Sequence, residues 1–178
     1  MNANGSPTRI ALCGMSGTGK STAASYLKDK HGFQLLQSGK VCREFARKLF
    51  DNESKEILNQ LTDAVRTIAS SAWLNASLRS LSYNGPTVFD SARFSEDEEV
   101  LVRLEFTIIR IDCDLRLAVQ RLASRGQQIS VELDFAHESE TSVFGMKPTT
   151  VIQNDSGVED LYRQIDDVLI DLALKSGS

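Results

Sequence analysis

The residues with the clearest chemistry form the segment 14–21, whose sequence is GMSGTGKS. It matches G-x-x-x-x-G-K-[ST], the Walker A pattern of phosphate-binding loops, at every fixed position. Glycines let such a backbone curl so that its N–H groups face phosphate oxygens, and the helix that follows points its positive end at the same anion. Lys20 can reach the β- and γ-phosphates, and the Ser21 hydroxyl can coordinate Mg²⁺. The pattern predicts binding of ATP with Mg²⁺ through the residues Gly14, Ser16, Gly17, Thr18, Gly19, Lys20, Ser21 and Thr22.

Further candidates follow short apolar segments later in the chain. Asp90 ends one such segment, and ligands of open α/β sheets bind at the C-terminal ends of strands. We therefore expect Asp90 to orient the acceptor or, with Ser21, to bind the metal. Arg121 and Arg125 share a helix face by their four-residue spacing. Arg43, Arg121 and Arg125 also have a simpler interpretation as solvated side chains, and Arg93 has one as an ion-pair partner of Glu96 or Asp97.

The elements that must position these residues alternate along the chain. Short apolar strands are predicted at 8–13, 33–36, 86–90, 107–111 and 150–153. Helical patterns follow each of them, including one or two amphipathic helices over 55–82 and a helix after the capping residue Asp114. Such alternation predicts an α/β fold of three layers, with a mainly parallel five-stranded sheet flanked by helices.

One domain over residues 8–176 is expected, with a frayed N-terminus at 1–7. The polar, irregular segment 127–149 is expected to act as a short lid over the phosphates. The acidic residues of 96–99 are expected at a helix N-terminus, where the helix dipole favours negative charge.

Composition narrows the classes of protein. The chain has 178 residues, of which 41% are hydrophobic and 25% charged, with a net charge of −4. That charge disfavours binding to bulk nucleic acid. No apolar run is long enough to cross a bilayer, and the start lacks a signal-peptide pattern, so a cytoplasmic protein is expected. The three cysteines are expected to be reduced, and the oligomeric state stays open.

The order of these motifs resembles the adenylate-kinase-like nucleoside monophosphate kinases. In that family a hydroxyl residue and a glycine are followed by an acceptor-binding arginine, four residues after the glycine. Ser38, Gly39 and Arg43 are similar to this pattern. A strand-ending aspartate and a second acceptor arginine are matched by Asp90 and Arg93. The resemblance implies that Ser38, Arg43, Asp90 and Arg93 bind the acceptor. It also implies that Lys20, Arg93, Arg121 and Arg125 face the transferred phosphate.

Departures from the family leave alternatives open. The segment 126–149 has no arginine and one lysine, Lys147, so the long lid of adenylate kinases is absent. Residues 134–140 resemble a stretch of phage deoxynucleoside monophosphate kinases and phosphomevalonate kinases, and His137 within them is either a substrate contact or a solvated loop residue. The chain also lacks the Asn-Lys-x-Asp motif of GTPases.

The resemblance implies a kinase of a small phosphorylated acceptor, above all a (deoxy)nucleoside monophosphate. Another acceptor, such as dephospho-coenzyme A, a mevalonate phosphate or a modified base in DNA, is the first alternative. A nucleotide-binding switch or slow NTPase is the second.

Overall fold

A computed structural model of the chain describes residues 7–81, 84–126 and 141–175. The predicted frayed N-terminus, His137 and most of the predicted lid lie outside these residues. In chain order the elements are β1 Arg9–Cys13, α1 Lys20–His31, β2 Gln34–Leu36, α2 Ser38–Phe50, α3 Lys55–Ile68, α4 Ala72–Leu78, β3 Thr87–Ala92, α5 Ser95–Arg103, β4 Phe106–Asp112, α6 Leu115–Ala123, a 3-10 helix Ser142–Gly145, β5 Thr150–Gln153 and α7 Val158–Lys175.

The five strands form one parallel sheet in the order β2-β3-β1-β4-β5. Strand β1 lies in the centre, and its residues Ile10 to Cys13 are at most 1% exposed. The C-terminal ends of β1, β2 and β3 meet at one edge, where the candidate residues follow them. The predicted α/β fold with a parallel five-stranded sheet is confirmed.

Side chains that alternate along the strands build a separate core on each face of the sheet. Ile10 and Leu12 of β1 pack with Leu27 of α1 and Ile165 of α7. Ala11 and Cys13 pack on the opposite face, in a cluster with residues of α4 and α5. This period of two is what a strand buried on both faces requires, and it produces the three layers expected from the sequence.

Strand β3 continues two residues beyond Asp90, where the sequence analysis ended it. Phe89 pairs with Ala11, but Ala92 pairs with Cys13, so β3 has one residue more than β1 over this stretch. Such a β-bulge bends a strand and breaks the alternation of its side chains. The apolar pattern stops at Asp90, but the backbone pairing does not.

The C-terminal part of the predicted lid is attached to the core. Val143 is fully buried and Met146 is 3% exposed, and Met146 belongs to the cluster with α4 and α5. The Lys147 backbone N–H donates to Glu98 Oε2 at 2.9 Å. The lid function expected for 127–149 stays a prediction, and residues 127–140 of that segment lie outside the described residues. In the parts of the chain that the structure describes, no helix is both long and apolar enough to cross a membrane.

Candidate active site

The loop between β1 and α1 has a backbone that only glycine permits at three positions. Gly14, Gly17 and Gly19 have φ values of +135°, +82° and +108°. A Cβ at Gly17 would lie 2.6 Å from the carbonyl oxygen of Ala118, and one at Gly14 or Gly19 would collide with Ile111 or Asn154. These glycines therefore allow both the curl of the loop and its close packing on β4, α6 and the residue after β5.

Two side chains of the loop hold its own backbone. Lys20 is 7% exposed, and its ammonium donates to the carbonyl oxygens of Gly14 at 2.7 Å and Met15 at 2.8 Å. The Thr18 hydroxyl, 3% exposed, donates to Met15 at 2.9 Å. The lysine thus lies across the loop, as a phosphate-binding ammonium must, whereas the Thr18 side chain is used to shape the loop.

Asn154 supports the loop from behind and was not singled out by the sequence analysis. It directly follows β5 and is 4% exposed. Its side-chain amide donates to the Thr18 carbonyl oxygen at 2.8 Å, and its backbone N–H donates to Asp112 at 2.8 Å. A polar residue directly after a buried strand was the available signal for it.

A polar cavity of about 290 Å³, called here the loop cavity, opens between the loop and the ends of β2 and β3. From the loop it is lined by Ser16, Gly17, Gly19, Lys20 and Ser21. From the facing elements it is lined by Gln37, Gly39, Arg43, Asp90, Ser91, Arg93, Leu122 and Arg125. Most of the predicted site residues therefore share one cavity. Gly14, Thr18 and Thr22 are not on its wall, although they belong to the loop or to the first turn of α1.

The bulge in β3 brings two consecutive side chains to this cavity. Asp90 and Ser91 both line it, whereas a regular strand would direct neighbouring side chains to opposite faces. Asp90 is 6% exposed, and the Gln37 side-chain amide donates to its Oδ2 at 2.6 Å. Ser91 lies 3.0 Å from the Ser38 hydroxyl. Gln37 is a second residue that sequence reasoning missed.

Arg121 in α6 and Arg125 just beyond it do not face the same cavity. Helix α6 ends at Ala123, and Arg125 N–H bonds back to Leu122 in a tighter turn. A four-residue spacing aligns two side chains only while the α-helix continues. Arg125 lines the loop cavity, but Arg121 donates from Nη2 to the Asn154 carbonyl oxygen at 3.0 Å. The structure thus places Arg125, and not Arg121, on the wall of that cavity.

A second cavity, the apolar cavity, has a volume of about 240 Å³ and adjoins the loop cavity. Both are lined by Ser16, Gly39, Arg43, Ser91 and Arg93. The remaining wall of the apolar cavity includes Ser38, Cys42, Leu58, Trp73, Leu74, Phe89, Phe94 and Asp97. Arg43 and Arg93 therefore lie where a polar compartment beside the loop meets an aromatic compartment.

Asp97 lies in the first turn of α5, as the acidic segment predicted, but it is buried. Its side chain lies in the wall of the apolar cavity and the residue is 5% exposed. Burial raises the pKa of the Asp97 carboxyl to about 6, against the opposing effects of the Ser71 hydroxyl, Arg66 and the Phe94 N–H. Arg66 stacks on the Phe94 ring at 3.5 Å and pairs with Glu96 at 3.2 Å. Of the acidic residues in 96–99, it is therefore Glu96 that forms an ion pair with Arg66.

The donor set fits a nucleotide and Mg²⁺. Among the described residues, no group of three or more His, Cys, Asp or Glu side chains could hold a metal ion. A metal site made only of protein ligands is therefore not formed there. Mg²⁺ usually keeps several waters and is held by one or two carboxylates together with substrate phosphates. The Ser21 hydroxyl and the Asp90 carboxyl, which line the same cavity, fit that coordination.

The fold and the loop define a nucleoside-triphosphate-binding protein with a phosphate-binding loop. The family model of the AAA domain (AAA_18) matches residues 10–140, and the chain belongs to this family. Adenylate kinase from Mycoplasmoides gallisepticum is 27% identical over 128 residues, which are 66% of this chain and 58% of that protein. The chain thus spans less than two thirds of the length of this curated relative.

Solved structures share the fold over almost the whole chain. TT1252 from Thermus thermophilus has a TM-score of 0.65 and 23% identity, covering 94% of this chain and 98% of that one. Deoxyadenosine kinase from M. mycoides has a TM-score of 0.54 and 17% identity, covering 92% and 100%. Shikimate kinase from Acinetobacter baumannii has a TM-score of 0.57 and 14% identity, covering 93% and 94%. The predicted resemblance to the P-loop nucleotide kinases is confirmed by the family model and by adenylate kinase, and these structures confirm the fold.

Proposed function

We propose that this chain is an ATP- and Mg²⁺-dependent kinase that transfers the γ-phosphoryl group to a (deoxy)nucleoside monophosphate. The observation that carries the proposal is the junction of the two cavities. Arg43 and Arg93 lie at the boundary between the loop cavity and the aromatic apolar cavity. An acceptor with an anionic end and a flat apolar body fits this arrangement, with its phosphate at the arginines and its ring among the aromatic side chains.

Positioning and charge are the catalytic contributions of the protein in such a reaction. The loop N–H groups and Lys20 hold the triphosphate, and Arg125 approaches from the end of α6. Mg²⁺ bound by Ser21 and Asp90 would neutralise charge that develops on the phosphates. Arginines aimed at a transferring phosphoryl group stabilise the charge of its transition state without covalent chemistry. Gln37 fixes the Asp90 carboxyl so that it reaches the cavity in one orientation.

The acceptor end of the site is organised by the first turn of α2. A Cβ at Gly39 would lie 3.6 Å from Nη1 of Arg43, so the guanidinium lies along a backbone that has no side chain at that position. The Ser38 hydroxyl is held by Ser91 on the neighbouring β3. The deoxyadenosine kinase structure was solved with the products dCMP and dCDP, so a protein of this fold binds nucleotides of this size.

The test is a set of acceptors incubated with γ-labelled ATP and Mg²⁺, in which the position of the label is followed. Labelled nucleoside diphosphate is the expected product. Arg43→Ala should raise the KM for the monophosphate by roughly 10- to 100-fold, because a hydrogen bond to a charged group contributes about 1.5–3 kcal/mol. Lys20→Ala should abolish transfer.

The control variant is Arg47→Ala, one helical turn beyond Arg43. Arg47 pairs with Glu53 on the exposed side of α2, so its loss should leave the KM for the monophosphate unchanged. Label found in inorganic phosphate, at a rate that no acceptor increases, would instead identify a slow NTPase. Transfer to a sugar or to another acid, but to no nucleotide, would contradict the assigned acceptor class.

A further inference from the structure

The apolar cavity contains a carboxyl group that the proposed transfer does not use. Asp97 belongs to α5, lines the cavity with Trp73 and Phe94, and is 5% exposed. Burying a carboxylate beside aromatic rings costs free energy, and burial accordingly raises its pKa to about 6. At neutral pH the group is still mainly ionised. A carboxylate that stays ionised in the wall of a cavity, despite the free-energy cost of its burial, is a candidate for recognising a ligand.

Within the part of the chain that the structure describes, no ion pair joins Asp97 to a cation. Arg66, whose charge acts on Asp97, has its guanidinium on the Phe94 ring at 3.5 Å and an ion pair with Glu96 at 3.2 Å. The Ser71 hydroxyl and the Phe94 N–H favour the ionised form of Asp97. These interactions account for a carboxyl group at the start of α5, but they do not account for one in the wall of a cavity. An ionised carboxyl group has about four acceptor positions, so it can also accept hydrogen bonds from a ligand.

A second buried polar group belongs to a residue of the same cavity. The indole N–H of Trp73 is buried and has no hydrogen-bond acceptor among residues 7–81, 84–126 and 141–175. Buried donors in native proteins are almost always paired, with protein, water or ligand. Because this N–H has almost no accessible surface, a ligand in the cavity meets the Asp97 carboxylate and not the indole N–H, and it therefore needs a hydrogen-bond donor. An amino-bearing heterocycle carries such a donor on its edge.

We infer that Asp97 is a specificity-determining residue of the acceptor site, which selects monophosphates whose base carries an exocyclic amino group. This inference rests on the proposed function. A carboxylate accepts from the N–H of an amino group, whereas a carbonyl oxygen at the same ring position would be an acceptor facing an acceptor. Sites built around such a buried polar group reject ligands that leave it unpaired. Thymidine and uridine monophosphates are therefore poor acceptors.

The experiment compares acceptors that differ at a single substituent. Transfer from γ-labelled ATP is measured to cytidine against uridine monophosphate, to guanosine against inosine monophosphate, and to adenosine against inosine monophosphate. The preferred acceptor should carry an amino group, and its kcat/KM should exceed that of its partner by roughly 10- to 100-fold. This comparison needs no variant. A preference for uridine or thymidine monophosphate would overturn the inference.

Asp97→Asn then tests the residue itself. The carboxamide keeps one oxygen for the Phe94 N–H but replaces the other with a donor, so the helix cap survives while the recognition pattern changes. The preference between the two members of the favoured pair should fall close to unity or reverse. A merely structural role would lower kcat/KM for both members equally, which would also overturn the inference.

Glu99→Gln is the matched control, because Glu99 is exposed on the same helix, and it should leave the preference unchanged. If the native protein transfers label to none of these nucleotides, the proposed function itself fails.

Discussion

At the scale of single residues, the loop shows which positions are constrained by shape and which by charge. Gly14, Gly17 and Gly19 are fixed by positive φ together with a neighbouring backbone or side chain. Lys20 is constrained differently, because its ammonium bonds to two loop carbonyl groups and also lines the loop cavity. The Walker A pattern predicts all of these residues. It does not predict Asn154, since the contact is 136 positions away along the chain from Thr18.

Gly19→Ala is expected to abolish ATP binding and to lower the free energy of unfolding by about 1–3 kcal/mol. The new Cβ would meet the Asn154 amide, and the φ of +108° is one that alanine resists. Calorimetric titration with ATP and Mg²⁺, together with thermal unfolding, measures both effects. Gly32→Ala is the control, because Gly32 also has a positive φ, +71°, but open space around its Cβ position. That variant should lose about 1 kcal/mol of stability and still bind ATP. Normal ATP binding by Gly19→Ala would contradict the prediction.

At the scale of elements, the apolar periodicity of the sequence predicted those strands and helices that depend on a local pattern. The strands 33–36 and 150–153 agree with β2 and β5 to within a residue, and Asp114 caps α6 by accepting from the Arg116 N–H at 2.8 Å. The bulge in β3 was not predictable, because it arises from pairing with β1 and leaves no mark in the apolar pattern. The early end of α6 was missed for a similar reason. The four-residue spacing of Arg121 and Arg125 implied a helix that continues to Arg125, whereas the α-helix ends at Ala123.

Because α6 ends at Ala123, we expect different effects from replacing Arg121 and Arg125. Arg125→Ala should lower kcat by roughly 100-fold with little change in ATP affinity, because a group that stabilises developing charge acts mainly in the transition state. Arg121→Ala should instead weaken ATP binding and lower thermal stability, since Arg121 holds the Asn154 carbonyl oxygen and Asn154 in turn holds the loop. Steady-state kinetics and ATP titration distinguish the two. Equal losses of kcat in both variants, with unchanged ATP affinity, would restore the symmetric role expected from the sequence.

At the scale of the whole molecule, the apolar cavity is formed by residues of four helices, α2 to α5, and of β3, which explains why sequence reasoning missed it. Leu58 of α3, Trp73 of α4 and Asp97 of α5 are up to 39 positions apart and meet only in the folded protein. Asp97 belongs to an acidic segment that by pattern alone resembles any solvated helix start. Its burial follows from how α5 packs on α4 and β4, which a local pattern does not contain.

The buried carboxyl of Asp97 should make stability depend on pH in an identifiable window. Its pKa is 3.8 in a model peptide and about 6 in the folded chain, so the folded state binds the proton more tightly. This contribution to stability is complete below about pH 4 and is lost as the pH rises through about 6. Arg66 and Glu96 lie next to the carboxyl, and Arg43, Lys55 and Arg93 line the same cavity.

Asp97→Asn should therefore raise the free energy of unfolding at pH 7.5 by about 1–3 kcal/mol, and the gain should vanish near pH 4. Urea unfolding of both proteins at the two pH values measures the difference and cancels the titration of all other groups. Glu99→Gln should show no such gain. A variant less stable than the native protein at pH 7.5 would mean that the carboxyl is retained for the fold and not for a ligand.

The extra residue of β3 also restricts how the length of this chain can vary. Asp90 and Ser91 share the loop cavity because β3 carries one residue more than β1 between Phe89 and Ala92. Removing one of them would restore strict alternation and leave one polar side chain, instead of two, at the end of the strand. Between Phe89 and Arg93, we therefore expect substitutions to be more common among related proteins than insertions or deletions.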